Sequence, residues 1–197
     1  MEFVTRASVR PARLGVFPAT FNPPTRAHQA LVRSALARVD EVLLVLPRVF
    51  PHKQFDGATF EQRCEMMHAL AMAEARTSAA VSDGGLFVEI ARECRAAYGA
   101  AELVFLCGRD AAERIIHWPH EAPIERVLEE FAMLVAARGG EYQPPAHLEG
   151  RVQALPLDCD YSEISATELR RRIRDRANWE ELAPPELTEL IGRFYYS

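Results

Sequence analysis

The sequence predicts an α/β fold: a doubly wound, mostly parallel sheet with helices on both faces and a small helical C-terminal part. Three observations carry this. Strand-like and helix-like runs alternate almost throughout the chain. The best strand run, Glu41 to Leu46, is apolar without alternation from Val42 on and carries two β-branched valines, as a strand buried on both faces requires. From about residue 161 to 197 only helical signals remain. A length of 197 residues with 49% apolar content suits one domain spanning 1–197 with a sizeable core.

Taken in order, Leu14-Gly15-Val16-Phe17 is a short strand that ends in a Pro-rich turn. Arg26 to Val39 follows as a helix whose apolar stripe is Leu31, Val32, Ala35, Leu36 and Val39. Pro47 stops the strand Glu41 to Leu46, completing a β-α-β unit. Thr59-Phe60-Glu61-Gln62 has the form of a capping box and opens a helix through about Glu74. Phe87 to Tyr98 is a helix stopped by Gly99.

Glu102 to Cys107 is the next strand, Arg109 to Ile116 a helix, Pro123 to Glu130 a short helix, and Phe131 to Ala136 a strand. A Pro- and Gly-rich loop, Gly139 to Gly150, leads to a last strand, Val152 to Leu155. A second capping box, Ser165 to Glu168, opens a helix rich in arginine, and Pro184-Pro185 precedes a final helix from Glu186 to Tyr195. In such a sheet, ligands sit outside the carboxyl ends of the strands, where strand order reverses.

A net charge of −5 argues against a general nucleic-acid binder. No apolar run is long enough to span a bilayer, and Met1 to Arg13 lacks the apolar stretch of a signal peptide. A cytoplasmic protein is expected. Cys64, Cys94, Cys107 and Cys159 are far apart and form no Cys-x-x-Cys pair, so free thiols are expected rather than a zinc site or disulfides.

The chemistry concentrates in two places. The turn after the first strand reads Thr20-Phe21-Asn22-Pro23-Pro24-Thr25-Arg26-Ala27-His28. Thr25 suits an N-cap, and His28 lies one turn further on the same edge of the helix start. Free N–H groups and the positive dipole end make a helix start a phosphate site, and Thr25 and His28 would add donors aimed at the same point. Spacing alone equally allows Thr25 to be a plain cap and His28 to pack beneath a loop.

The second place is Ile164-Ser165-Ala166-Thr167-Glu168-Leu169-Arg170, at the head of a run that includes Arg171, Arg172, Arg174 and Arg176. Ser165 and Thr167 offer hydroxyls at a helix start, and Arg170 can fork onto phosphate oxygens. By itself a run of arginines is a solvated helix face. Between the two lie Pro51-His52-Lys53, Gly108-Arg109-Asp110 and Trp118.

These stretches resemble the nucleotidylyltransferase superfamily, in particular the nicotinate and nicotinamide mononucleotide adenylyltransferases, and the resemblance spans nearly the whole chain. Phe21 to His28 is similar to the (His/Thr)-x-x-His signature in its Phe-Asn-Pro-x-Thr-x-x-His form. Ile164 to Arg170 is similar to the family's Ile-Ser-x-Thr-x-(Ile/Leu)-Arg motif. Pro18-Ala19 stands where the family usually has two glycines, and Ala27 replaces the glycine of the commoner motif.

The resemblance implies a Rossmann-like nucleotidyltransferase fold. It implies an enzyme that transfers the adenylyl group of ATP to a nicotinate-type mononucleotide and releases pyrophosphate. His28 would meet the α-phosphate and Arg170 the leaving pyrophosphate. Thr20, Phe21, Thr25, Gly108, Asp110, Ser165 and Thr167 would hold ATP. Asn22, Lys53 and Trp118 would hold the acceptor. Mg²⁺ would ride on the nucleotide phosphates, with no dedicated protein metal site.

Partners would then be these small molecules, not nucleic acid or membrane, and self-association into a homo-oligomer stays open. Two other readings stay open as well. One is another superfamily member, a phosphopantetheine adenylyltransferase or a cytidylyltransferase. The other is a non-catalytic nucleotide-binding module, suggested by Pro18, Ala19 and Ala27.

Overall fold

A parallel sheet with two apolar faces is stable only when helices cover both, and the alternation of the chain supplies them. The computed structural model describes residues 1–49, 56–119, 122–137 and 139–196. Among these, the strands are β1 (Glu2–Thr5), β2 (Arg13–Pro18), β3 (Glu41–Pro47), β4 (Thr77–Ser82), β5 (Glu102–Gly108), β6 (Ala132–Ala136) and β7 (Val152–Leu155). The helices are α1 (Arg26–Ala35), α2 (Phe60–Ala73), α3 (Phe87–Tyr98), α4 (Arg109–Ile116), α5 (Ile124–Val127), α6 (Ala166–Arg174) and α7 (Thr188–Tyr195). None of the helices is long and apolar enough to cross a membrane.

The sheet order is β1-β4-β3-β2-β5-β6-β7. All neighbouring strands run parallel except β1, which lies antiparallel to β4 at one edge. The order reverses between β2 and β5, so the carboxyl ends of these two central strands flank the switch point. Period-two alternation sorts the strand side chains. Leu14, Val16, Leu43 and Val45 enter the core layer that holds Ile90 and Phe105. Phe17, Val42, Leu44 and Leu46 enter the opposite layer with Val32, Leu70 and Leu169.

Two strands differ from the sequence expectation. β4, Thr-Ser-Ala-Ala-Val-Ser, has little of the bulk that marks a strand, yet all six residues are buried. It forms because β3 and β1 supply its ladder and its hydroxyls are satisfied: Ser78 Oγ donates to Glu41 Oε1 at 2.6 Å, and Ser82 Oγ to Glu93 Oε1 at 2.8 Å. β1 lies in the stretch read only as lacking a signal peptide.

Three helix ends also differ. α1 stops at Ala35 instead of Val39, α5 is four residues long, and a short 3₁₀ turn, Pro185–Leu187, precedes α7. The predicted stop at Gly99 is present, with φ +65°. All four cysteines are free, and burial pushes the Cys94 and Cys107 thiols up to about 12, which keeps them inert.

Candidate active site

The turn after β2 is built from inside the core. Phe21 is fully buried with φ +47°, a left-handed conformation that is costly for a bulky residue by about 1–2 kcal/mol. Its ring sits edge-on to Phe17 at 5.9 Å, and both rings contact the imidazole of His28, at 5.9 and 5.8 Å. The Phe21 side chain therefore shapes the wall behind His28, and only its backbone faces away from the core.

Thr25 is likewise fully buried. Its main-chain N–H donates to His28 Nδ1 at 3.1 Å, and its hydroxyl lies 2.8 Å from the same nitrogen. A main-chain N–H can only donate, so Nδ1 is an acceptor and the neutral ring carries its proton on Nε2. Thr25 is the expected N-cap of α1, and its hydroxyl is turned onto His28. Thr25 thereby sets the tautomer of His28.

Asn22, expected to meet the acceptor, is 4% exposed and serves as a junction. Its amide nitrogen donates to Asp56 O at 2.7 Å. Its Oδ1 accepts from Ala58 N–H at 3.2 Å and from the Tyr195 hydroxyl at 2.5 Å. Its main-chain carbonyl accepts from Arg170 Nη1 at 2.6 Å. The Asn22 amide is thus drawn inward, with Asp56, Ala58 and Tyr195 as its partners.

That last bond joins the two motifs. At the start of α6, Ser165 Oγ accepts from Glu168 N–H at 3.0 Å, so Ser165 is the N-cap. Thr167 in the first turn is exposed, and Arg170, one turn on, is half-buried and reaches the turn after β2. Its neighbours turn elsewhere. Arg171 pairs with Glu168 and Asp175, while Arg172 pairs with Glu168 and Glu181. The two helix starts therefore converge on one edge of the sheet.

Thr20 is half-buried, following Ala19, whose N–H extends the sheet by donating to Val45 O at 3.1 Å. Gly108 ends β5 and caps α4 with φ −81°, an angle any residue adopts, and a Cβ there would meet only Ala136 O at 3.9 Å. What this glycine provides is open space. Asp110 is exposed in the first turn of α4.

Beyond β6 and β7 a cavity of about 470 Å³ is lined by Tyr142, Leu155, Leu157 and Asp160 among others. It opens on the carboxyl side of Ala136, the register partner of Gly108. Trp118 lines a second, apolar cavity of about 160 Å³ with Leu86, Phe87, Ile115 and Phe131. Lys53 and the rest of Pro51-His52-Lys53 lie outside the described residues.

Sequence reasoning missed Tyr195 and Gly57. A Cβ on Gly57, whose φ is +110°, would come within 2.9 Å of Asn22 Oδ1 and 3.0 Å of Tyr195 Cε1. The glycine of Asp56-Gly57-Ala58 carried a local signal, since such a φ favours glycine. Tyr195 carried none, because only the fold brings the last helix to the first turn.

Two helix starts, one imidazole with a fixed donor and one bridging guanidinium at a switch point define a phosphate-handling α/β enzyme. The model of the cytidylyltransferase-like family matches residues 16–172. A protein from Thermus thermophilus named a probable nicotinate-nucleotide adenylyltransferase is 32% identical over 171 residues, covering 83% of this chain and 87% of its own. One of the same name from Gloeobacter violaceus is 29% identical, covering 92% and 94%. The Bacillus subtilis nicotinate-nucleotide adenylyltransferase is 24% identical, covering 91% and 95%.

In fold, the chain matches the structure of Plasmodium falciparum nicotinic acid mononucleotide adenylyltransferase complexed with NaAD. The TM-score is 0.72 at 16% identity, over 92% of this chain and 95% of that one. The chain belongs to the cytidylyltransferase-like family and, within it, to the nicotinate-nucleotide adenylyltransferases.

Proposed function

We propose that the chain transfers the adenylyl group of ATP to the phosphate of nicotinate mononucleotide, releasing pyrophosphate, in the synthesis of a pyridine dinucleotide. The acceptor's phosphate oxygen attacks the α-phosphorus in line and the bond to the β-phosphate oxygen breaks. The attacking phosphate is already ionised at neutral pH, so neither a protein nucleophile nor a strong base is needed. Catalysis is positioning plus stabilisation of charge on the equatorial oxygens. The His28 Nε2–H donates to an α-phosphate oxygen. The α6 start, with Ser165, Thr167 and Arg170, holds the leaving pyrophosphate. Magnesium enters as part of the nucleotide substrate, on its phosphates, where it needs few protein ligands.

Thr20, Gly108 and Asp110, at the carboxyl ends of β2 and β5, hold ATP, and the cavity of about 470 Å³ beyond β6 and β7 offers room for its adenosine moiety. Trp118 and its apolar cavity take the pyridine ring, and the charge of Lys53 is assigned to the acceptor phosphate. The C-terminal subregion, about 161–197, closes the site as part of a single domain. The relatives' names support the acceptor. The observation that carries the reading is the Arg170–Asn22 bond, which brings both phosphate elements to one edge. The test is pyrophosphate release from magnesium ATP with nicotinate mononucleotide, nicotinamide mononucleotide or phosphopantetheine, and from CTP with the same acceptors. Release chiefly with ATP and nicotinate mononucleotide is expected. Release with another pair, or none at all, overturns the proposal.

A further inference from the structure

The Asn22 junction draws on four separate stretches: the turn after β2, Asp56 to Ala58 ahead of α2, Arg170 on α6 and Tyr195 on α7. The orientation of the amide is not arbitrary. Ala58 N–H can only donate and Asp56 O can only accept, so Oδ1 faces Ala58 and Nδ2 faces Asp56. Tyr195 then completes the Oδ1 side. Burial pushes its phenol up to about 12, so the hydroxyl keeps its proton and donates. Gly57 has no Cβ because that atom would enter the space shared by Asn22, Tyr195 and Arg170.

We propose that Tyr195 is a positioning residue for nucleotidyl transfer: by donating to Asn22 Oδ1 it holds the junction on which Arg170 and the Asp56–Ala58 segment are both registered. Tyr195 touches no reacting atom here. It acts through Asn22, whose carbonyl receives Arg170 and whose amide fixes the chain just ahead of α2. The last helix of the chain thereby sets the geometry of the first motif. A buried amide with one partner removed is free to rotate or to draw in water, and either loosens the side-chain anchor that holds the Asn22 main chain, and with it the carbonyl that accepts from Arg170, in place. The effect on turnover rests on the function proposed above; the effect on the junction does not.

Two measurements separate these. The first is hydrogen exchange at Ala58, whose N–H is held by Asn22 Oδ1 and also lies within hydrogen-bonding reach of the Tyr195 hydroxyl. Tyr195→Phe keeps the ring and removes only the hydroxyl, so exchange at Ala58 should speed up by roughly fivefold, the scale of one hydrogen bond. Tyr196→Phe, which removes the hydroxyl bonded to Trp179 Nε1, should leave Ala58 unchanged. Equal exchange at Ala58 in Tyr195→Phe and the unaltered protein overturns the proposal at its structural step.

The second is a cycle of Tyr195→Phe and Asn22→Ala, read as kcat/KM with magnesium ATP and nicotinate mononucleotide. Tyr195→Phe alone should lower kcat/KM by roughly fivefold, but by less than about twofold when Asn22 is already alanine. The same loss in both backgrounds, or none in either, means that Tyr195 merely packs α7. If the unaltered protein releases no pyrophosphate while Ala58 exchange responds as expected, the junction stands and the functional reading falls.

Discussion

The two helix starts proposed to hold phosphate use the same backbone physics but are built in opposite ways. At the start of α1 almost everything is inside: Phe21 and Thr25 are fully buried, Asn22 is nearly so, and two aromatic rings flank His28. At the start of α6 the functional groups face outward, Thr167 is exposed, and Arg171 and Arg172 are held in surface ion pairs. The first is a rigid seat for one donor of defined tautomer. The second is an exposed clamp with one tether to the core, Arg170 on Asn22 O. Such a division suits in-line transfer, in which the reacting phosphorus must be placed tightly and the leaving group must depart.

The strongest way to break this contrast is at the rigid seat. His28→Ala should remove about 2–4 kcal/mol of transition-state stabilisation, the scale of one lost oxyanion donor, with little change in folding. Single-turnover kinetics and a melting curve together check this. Near-normal turnover would return His28 to the role of a packing residue between Phe17 and Phe21.

Arg170 sharpens the contrast on the clamp side. Arg170→Lys keeps the charge but loses the planar fork, so it should cost about 1.5–3 kcal/mol in kcat/KM. Arg172→Lys should leave turnover nearly intact and show only in stability, because Arg172 is occupied by Glu168 and Glu181. Three equal losses from Arg170→Lys, Arg172→Lys and Arg174→Lys in steady-state kinetics would mean a diffuse positive field rather than a clamp.

How far the sequence revealed these two sites follows from the same contrast. The helix starts at Thr25 and Ser165 were legible because N-caps and one-turn spacings are local, and the parallel sheet was legible from the apolar run of β3. What stayed hidden was non-local. The partners of Thr25 and Asn22 were not legible because sequence gives a side chain's place on a turn but not the direction the core pulls it. β4 was invisible because its small residues become a strand only between β3 and β1. Tyr195 had no mark at all, since its partner lies 173 positions away.

The Thr25–His28 pair gives a smaller effect and tests whether burial serves the chemistry. Thr25→Val keeps shape and the main-chain donor but loses the hydroxyl 2.8 Å from Nδ1. It should lower turnover by about 1 kcal/mol, and Thr25→Ser should restore most of it. If Val and Ser variants perform alike, the main-chain N–H alone sets the tautomer.

The least effect is expected where the clamp meets solvent. Hydrogen bonds from Arg171, then Arg172, hold the Glu168 carboxylate down from its ordinary value of 4.5 to about 2. A group depressed in the folded state binds its proton more readily when unfolded. Its contribution is therefore complete above about pH 4.5 and is lost as the pH falls toward about 2. Because Glu168 and its arginines face water, salt screens the pairs and the contribution is small. Glu168→Gln should thus melt slightly below the unaltered protein at neutral pH, and the gap should close across that acid window. Raising the ionic strength at neutral pH should narrow it too, while turnover changes little, since Arg170 is tethered to Asn22 rather than to Glu168. A gap that persisted at the acid end would mean that Glu168 matters to α6 through packing rather than charge. A large loss of turnover would mean that the Glu168 pairs, and not the Asn22 tether alone, hold the clamp in register.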